Sequence, residues 1–327
     1  MGLKGFVDLQ VNGYKGTDFS SPELTADAIR KTVGAIADRG TAAFCPTVIT
    51  SSWAAYEHVL PLLADAVSDP ACEGRILGIH LEGPFISPED GAVGAHPRDL
   101  VIPPSVEDFD RLYGLCRGTL RLITVAPERE GAIGLIRRAV EQGVRVSLGH
   151  TLAAEEDVRK AMEAGACLCT HLGNGCPNKM DRHRNPVWAQ LGSPLSIMII
   201  ADGHHLPLSV INAFLMAKAP DKAILTSDTA PVGGLPPGVY PAFGGQVRIT
   251  ETGRIESGDH LAGSSACLID CVNHLTASGY SDESLLWRLA RDNPLAVLGI
   301  DDRTLRIPDS PNVYWDGVEF AVNIRKL

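Results

Sequence analysis

The residues of this 327-residue chain best able to do chemistry are far apart: Gln10 and Asn12, Glu82, His150, His171, Asp202 with His204 and His205, and Asp228. Each closes a short apolar run, where a buried strand has no packing reason to finish on a polar group. Two neutral imidazoles and a carboxylate are the donor set that a borderline divalent cation accepts while leaving a position open for water. Glu82, His150 and His171 are therefore the candidate metal ligands. A single strand-end histidine is more often a hydrogen-bonded structural residue; three such ends gathered on one rim reverse that reading. Asp228 ends Ile224-Leu225-Thr226-Ser227-Asp228 and is the candidate base, taking a proton from an attacking water and handing it to a leaving nitrogen. Its competing reading is a turn or N-cap aspartate ahead of Thr229-Ala230-Pro231. Asp202-Gly203 is weaker, since Asp-Gly is a common turn pair.

Residues so distant can meet only if their elements bring them to one place. Apolar, β-rich runs span 5–12, 41–48, 75–82, 120–127, 145–150, 167–172, 196–202 and 223–228. They are apolar throughout rather than alternating, as strands buried on both faces are, and helical patterns separate them. Eight such units point to a (β/α)8 barrel of the TIM type, which needs about 250 residues. Residues 1–303 are assigned to this catalytic barrel and 304–327 to a short strand-like tail. In a barrel all strand C-termini converge on one rim, so the polar ends listed above share a centre. Ser21-Pro22 reads as an N-cap and first helical position, and Gly40, Gly143 and Gly165 as helix stops. Two Gly- and Pro-rich excursions, 83–104 and 230–257, follow the third and eighth strands and are expected to form a wall or lid.

Composition narrows the partners. The formal net charge is -10, with acidic residues spread along the chain, which speaks against nucleic acid and anionic membrane. No apolar run approaches the roughly 18 residues of a membrane span, and the opening Met-Gly-Leu-Lys-Gly leads into a strand rather than a signal peptide. A cytoplasmic setting is expected. The eight cysteines read as reduced core thiols. Cys167, Cys169 and Cys176 lack the second pair that a zinc site of C-x-C type would need. No G-x-G-x-x-G follows a strand, and no G-x-S-x-G is present.

His80-Leu81-Glu82-Gly83-Pro84-Phe85 resembles the H-L-E-G-P-F signature of the N-acetylglucosamine-6-phosphate deacetylases, amidohydrolases on a TIM-type barrel. Gly94-Ala95-His96-Pro97, Leu148-Gly149-His150-Thr151, Thr170-His171-Leu172 with Asn174, Ala201-Asp202-Gly203 with His205, Thr226-Ser227-Asp228 and Leu261-Ala262-Gly263-Ser264 resemble further family motifs in the same order. The resemblance implies that Glu82, His150 and His171 hold one divalent metal, with zinc the expected ion, and that Asp228 is the general base and acid. By the same similarity His205 would bind the acetamido carbonyl and stabilise the oxyanion. His96, Asn174 and the backbone of Gly175 would contact the sugar or its phosphate. A homodimer is also implied.

One pair of positions differs from many amidohydrolases, though not from those deacetylases that also carry Gln and Asn there, and three features depart from the family pattern. Many amidohydrolases open with a His-x-His pair for a second metal; Gln10 and Asn12 stand there, and neutral amides are poor zinc ligands, so a single-metal site is expected. The small β-sandwich that usually precedes the barrel is read as absent or vestigial, with strand-like segments 312–315 and 318–324 as its remnant. The segment after His171 has Asn174-Gly175-Cys176, then Arg182 and Arg184 ahead of Pro186, and either arginine is a candidate phosphate ligand. Gly91-Ala92-Val93 alters the loop ahead of His96. The expected reaction is hydrolysis of an N-acetylated amino sugar phosphate, foremost N-acetylglucosamine 6-phosphate, to the amine and acetate. Its rivals are hydrolysis of another amide, such as an N-acyl amino acid or an unphosphorylated N-acetyl sugar, and a catalytically inactive sugar-binding relative.

Overall fold

The computed structural model describes residues 3–258, 260–308 and 312–323. Eight parallel strands pair in sequence order: β1 (Phe6–Val11), β2 (Thr41–Ile49), β3 (Ile79–Glu82), β4 (Leu120–Val125), β5 (Arg145–Leu148), β6 (Leu168–Cys169), β7 (Ser196–Ile200) and β8 (Ala223–Thr226). The seam between β8 and β1 is drawn together by a parallel bridge between Val11 and Thr229 and by the Asn12 N–H donating to the Thr229 carbonyl at 2.8 Å. The sheet is thus a barrel, as the eight runs imply.

Alternation along each strand separates two apolar layers. Ile79, Leu81, Ile123, Val125, Val146, Leu148, Ile197, Ile199 and Leu225 belong to the large core under the helices. Val7, Leu9, Leu122, Leu168, Met198 and Ile224 form a second core inside the barrel. With both faces buried, the runs carry no polar alternation. Above the inner layer lies a buried polar belt. His80 Nε2 meets Thr124 Oγ1 at 2.8 Å, Thr124 Oγ1 meets Thr170 Oγ1 at 2.7 Å, and Thr170 Oγ1 meets Ser147 Oγ at 2.6 Å. Each hydroxyl finds a partner, which buried polar groups require, and this belt floors the active face.

Helices α1 (Ala26–Ala37), α2 (Trp53–Val67), α3 (Val106–Leu115), α4 (Ala132–Glu141), α5 (Glu155–Glu163), α6 (Pro186–Leu191), α7 (Leu208–Ala217) and α8 (Leu268–Ala277) follow the strands. The first begins later than Ser21-Pro22 suggests: Thr25 is its N-cap, its side chain accepting from the Ala28 N–H. Ser21 instead closes a turn, its carbonyl accepting from the Leu24 N–H at 3.0 Å. Gly40, Gly143 and Gly165 do turn the chain after α1, α4 and α5, each at positive φ.

The excursion at 83–104 holds a single 3₁₀ turn, Arg98–Leu100. The longer one, extending past its expected end at 257, folds into a four-stranded antiparallel sheet of β9 (Gly238–Ala242), β10 (Gly245–Ile249), β11 (Ile255–Ser257) and β12 (His260–Leu261). The tail forms a hairpin of β13 (Asn312–Trp315) and β14 (Phe320–Asn323). Ile324, counted in the second tail strand, lies outside the described residues. Phe320 fixes the hairpin to the barrel, its ring 5.3 Å from Phe6 and 5.2 Å from Trp287.

Candidate active site

The barrel strands stop just short of the residues that matter. β5 ends at Leu148, β6 at Cys169 and β8 at Thr226, each two residues before His150, His171 and Asp228. Those three residues have left-handed backbones, with φ of 51°, 27° and 51°. A side-chain-bearing residue there costs about 1–3 kcal/mol, which persists only when the surroundings over-determine it. The turn off each strand swings the side chain over the barrel mouth.

There Glu82, His150 and His171 form a buried group whose ligand atoms lie within 4.8 Å of one another. Glu82 Oε1 is 3.2 Å from His150 Nε2 and 2.9 Å from His171 Nε2, and the two nitrogens are 3.1 Å apart. His150 Nδ1 donates to the Ala92 carbonyl at 2.7 Å, so in the neutral ring Nε2 carries a lone pair. The His150 lone pair, the His171 ring nitrogen and the Glu82 carboxylate converge on one point, and their chemistry is that of a divalent-ion site. The group can hold a metal. Gly175 permits the close packing around it: at φ +57°, a Cβ there would meet the His150 ring at 3.0 Å.

Gln10 and Asn12 face the carboxylates with their amide nitrogens. Gln10 Nε2 donates to Glu82 Oε1 and Asn12 Nδ2 to Asp228 Oδ1, both at 2.7 Å. Asp228 is buried, and that burial, with the charge of Glu82, pushes its carboxyl up to about 6, against the opposing influence of His171, His205 and Asn12. That value is near the working pH a general base needs. Asp8, buried in β1, accepts from Thr226 Oγ1 at 2.7 Å and Ser227 Oγ at 2.5 Å, tying the end of β8 to the first strand.

His96 packs edge-on against His150, with ring centroids 4.4 Å apart. Its Nδ1 lies 3.3 Å from the Thr50 N–H that donates to it, and its Nε2 is 3.6 Å from Glu82 Oε2. Burial pushes the ring down to about 4, so it is neutral with its proton on Nε2. His205 Nδ1 bonds Asp202 Oδ2 at 2.8 Å. Asn174 Nδ2 donates to the His171 carbonyl at 3.2 Å.

A cavity of about 340 Å³ opens over this cluster, lined by Glu82, His96, His150, His171, Asn174, Gly175, His205 and Asp228. Its far wall comes from the small sheet, through Phe243, Arg254, His260 and Leu261. Arg182 and Arg184 are exposed and do not line it. Asp181 Oδ1 accepts from the N–H groups of His183 and Arg184, and Asn185 caps α6. That segment is wound into a tight turn, and Arg184 borders a separate depression with Glu155 and Trp188. Among the described residues Arg254 is the one Lys or Arg on the cavity wall. Sequence reasoning passed over it, and its sole signal was the length of the excursion that carries it. The cysteines are free thiols, and Cys167, Cys169 and Cys176 form no metal-binding group with other described residues.

The chain is 33% identical over 312 residues to an N-acetylglucosamine-6-phosphate deacetylase of Bos taurus, covering 91% of this chain and 75% of that one. It is 29% identical over 299 residues to an N-acetylgalactosamine-6-phosphate deacetylase of Escherichia coli O157:H7, covering 90% and 78%. Among solved structures it is similar to a point mutant of the N-acetyl-D-glucosamine-6-phosphate deacetylase of Mycobacterium smegmatis, in complex with N-acetyl-D-glucosamine-6-phosphate. That likeness has a TM-score of 0.84 at 29% identity and covers 91% of this chain and 78% of the other. No family model matches the chain.

Proposed function

Because the chain belongs to the N-acetylglucosamine-6-phosphate deacetylase family, we propose that it hydrolyses the acetamido group of an amino sugar 6-phosphate, foremost N-acetylglucosamine 6-phosphate, releasing acetate. Glu82, His150 and His171 would hold one divalent ion, zinc by the chemistry of its donors; when bound, it supplies a Lewis acid beside the scissile carbonyl. Gln10 and Asn12 support a single ion, since both turn a donor N–H toward the carboxylates rather than a ligand lone pair.

Asp228 takes the proton of the attacking water and delivers it to the departing nitrogen. His96, with its proton on Nε2, is the donor for the acetamido oxygen, a role in which one hydrogen bond is worth roughly 10²–10³ in kcat. His205, to which the resemblance gave that oxygen, has its Nδ1 engaged by Asp202 and offers a second imidazole from the same cavity, and Asn174 and the backbone of Gly175 meet the sugar. For the phosphate we favour Arg254, which is exposed and paired with Glu256 Oε1 at 3.2 Å but borders the cavity, ahead of Arg182 and Arg184.

The observation that carries this reading is the convergence of Glu82, His150, His171 and Asp228 on one cavity. Acetate release from N-acetylglucosamine 6-phosphate by metal-loaded protein tests it, and no release would overturn it. Similarity to the E. coli galactosamine enzyme makes the 4-epimer the second substrate to assay. We also infer a cytoplasmic setting, consistent with free thiols and with no described helix long and apolar enough to cross a membrane. A homodimer is part of the same proposal; exposed Trp188 and Met216 on α6 and α7 offer apolar surface for it, and sedimentation velocity checks it.

A further inference from the structure

The Leu261-Ala262-Gly263-Ser264 segment, which returns from the small sheet to the barrel rim, touches neither the cation ligands nor the reacting atoms in the mechanism above. Its contacts nevertheless reach the acidic residues that follow both β7 and β8, Asp202 and Asp228. The Ser264 N–H donates to the Asp228 carbonyl at 2.9 Å, and the Ala230 N–H donates back to the Ser264 carbonyl at 2.8 Å. The Ser264 hydroxyl donates to Asp202 Oδ2 at 2.8 Å. Ser264 is 1% exposed, so this crosspiece between Asp228 and Asp202 is closed to solvent.

Asp202 is fully engaged. Its Oδ1 accepts the backbone N–H groups of His204 and His205, both at 2.9 Å, and its Oδ2 accepts His205 Nδ1 and the Ser264 hydroxyl. The carboxylate side chain is 1% exposed. Burial alone would raise its carboxyl; the hydrogen bond and charge of His205, with the two backbone donors, outweigh that and hold it below the usual carboxylate range. An anion in this position can accept from His205 but cannot donate to it. The proton of a neutral His205 is therefore confined to Nδ1, and Nε2, on the cavity side, is an acceptor.

We propose that Asp202, braced by Ser264, is a positioning residue that fixes the ring and tautomer of His205, so that His205 accepts a hydrogen bond from a substrate hydroxyl or amide N–H. This assigns complementary parts to two imidazoles of the cavity that are not cation ligands, with His96 donating and His205 accepting. The inference rests on the deacetylase reading for its substrate, but not for its tautomer.

Asp202→Asn is the isosteric test. Its Oδ1 can keep both backbone N–H donors, while Nδ2 now faces His205 Nδ1 and must donate to it, which moves the ring proton to Nε2. Long-range ¹H–¹⁵N spectra of histidine-labelled, metal-loaded protein should show His205 protonated at Nδ1 in the wild type and at Nε2 in the variant. An Nε2–H tautomer in the wild type would overturn the proposal. In kinetics, Asp202→Asn should lower kcat/KM for N-acetylglucosamine 6-phosphate by about 10²-fold or more, as an inverted tautomer does in other carboxylate–histidine pairs, with metal content unchanged. The loss should vanish when Asp202→Asn is made on a His205→Gln background, because nothing then remains to orient; an equal loss on both backgrounds would mean a merely structural role. Should that variant fold poorly, Ser264→Ala removes one hydrogen bond to the same carboxylate and should cost about tenfold, again only while His205 is present. No loss from Ser264→Ala would sink the crosspiece. Wild-type protein that releases no acetate would overturn the deacetylase reading and leave the tautomer measurement to judge Asp202 by itself.

Discussion

Asp228 answers two opposed demands, since it lies buried beside a second carboxylate and yet must be ionised to take a proton. Burial and Glu82 push it up to about 6, and a cation held by Glu82, His150 and His171 adds positive charge that draws it down again. Activity should therefore be lost as pH falls through a value at or below about 6, where the base becomes protonated; an acid limb of kcat/KM above about pH 7 would assign that limb to another group. Asp228→Asn retains an Oδ1 acceptor for Asn12 and tolerates a φ of 51° better than most residues. It should fold and bind metal normally while turnover drops roughly 10²–10⁴, and a loss of less than about tenfold in a steady-state acetate assay would return Asp228 to its turn-forming reading. Arg254→Ala should raise KM for the 6-phosphate substrate and leave the unphosphorylated sugar nearly unaffected, since it removes binding remote from the carbonyl. Were Arg182→Ala or Arg184→Ala to do so instead, the anion would be gripped by residues that this cavity does not contain.

Elements decide which of these residues could be read from the sequence. A strand buried on both faces writes itself as an unbroken apolar run, so all eight barrel strands were visible, and with them the polar residues that end the runs. The small sheet was not. Its strands are two to five residues long, interrupted by glycine turns, and β9 alternates half-buried with exposed positions, so it reads as a Gly- and Pro-rich loop. Arg254, proposed above for the phosphate, lies within it. Arg182 and Arg184 stand out in sequence by their proximity to His171, which says nothing of which way a turn points; in the fold both are exposed. Nor does any residue type announce that His150, His171 and Asp228 sit at positive φ. At this scale Gly263 is decisive: with φ at +65°, a Cβ would meet the Asp228 carbonyl at 2.9 Å. Gly263→Ala is expected to destabilise the fold by about 1 kcal/mol or more and to lower kcat more than it raises KM, because the backbone it displaces carries the base. Unchanged kcat with lowered stability in urea unfolding would confine Gly263 to a packing role.

For the whole molecule, cation and fold are linked. A ligand that binds only the folded chain stabilises it, by about 2.7 kcal/mol at a hundred times its Kd, so calorimetry should find Tm lowered by several degrees in chelator and restored on adding zinc. Elemental analysis of saturated protein should return about one ion per chain, and two tightly held ions would mean that Gln10 and Asn12 had been misjudged. His150→Ala should abolish both the ion and the chelator effect. The three left-handed residues at the barrel mouth bear on this balance too. Glycine at 150, 171 or 228 would relieve the backbone, and each relief would also delete a ligand or the base. A laboratory evolution experiment that rewarded heat resistance in chelator, where no cation repays the ligands, and never assayed turnover would thus be drawn toward these three positions, and its toughest survivors would be expected to be well-folded barrels with no chemistry left.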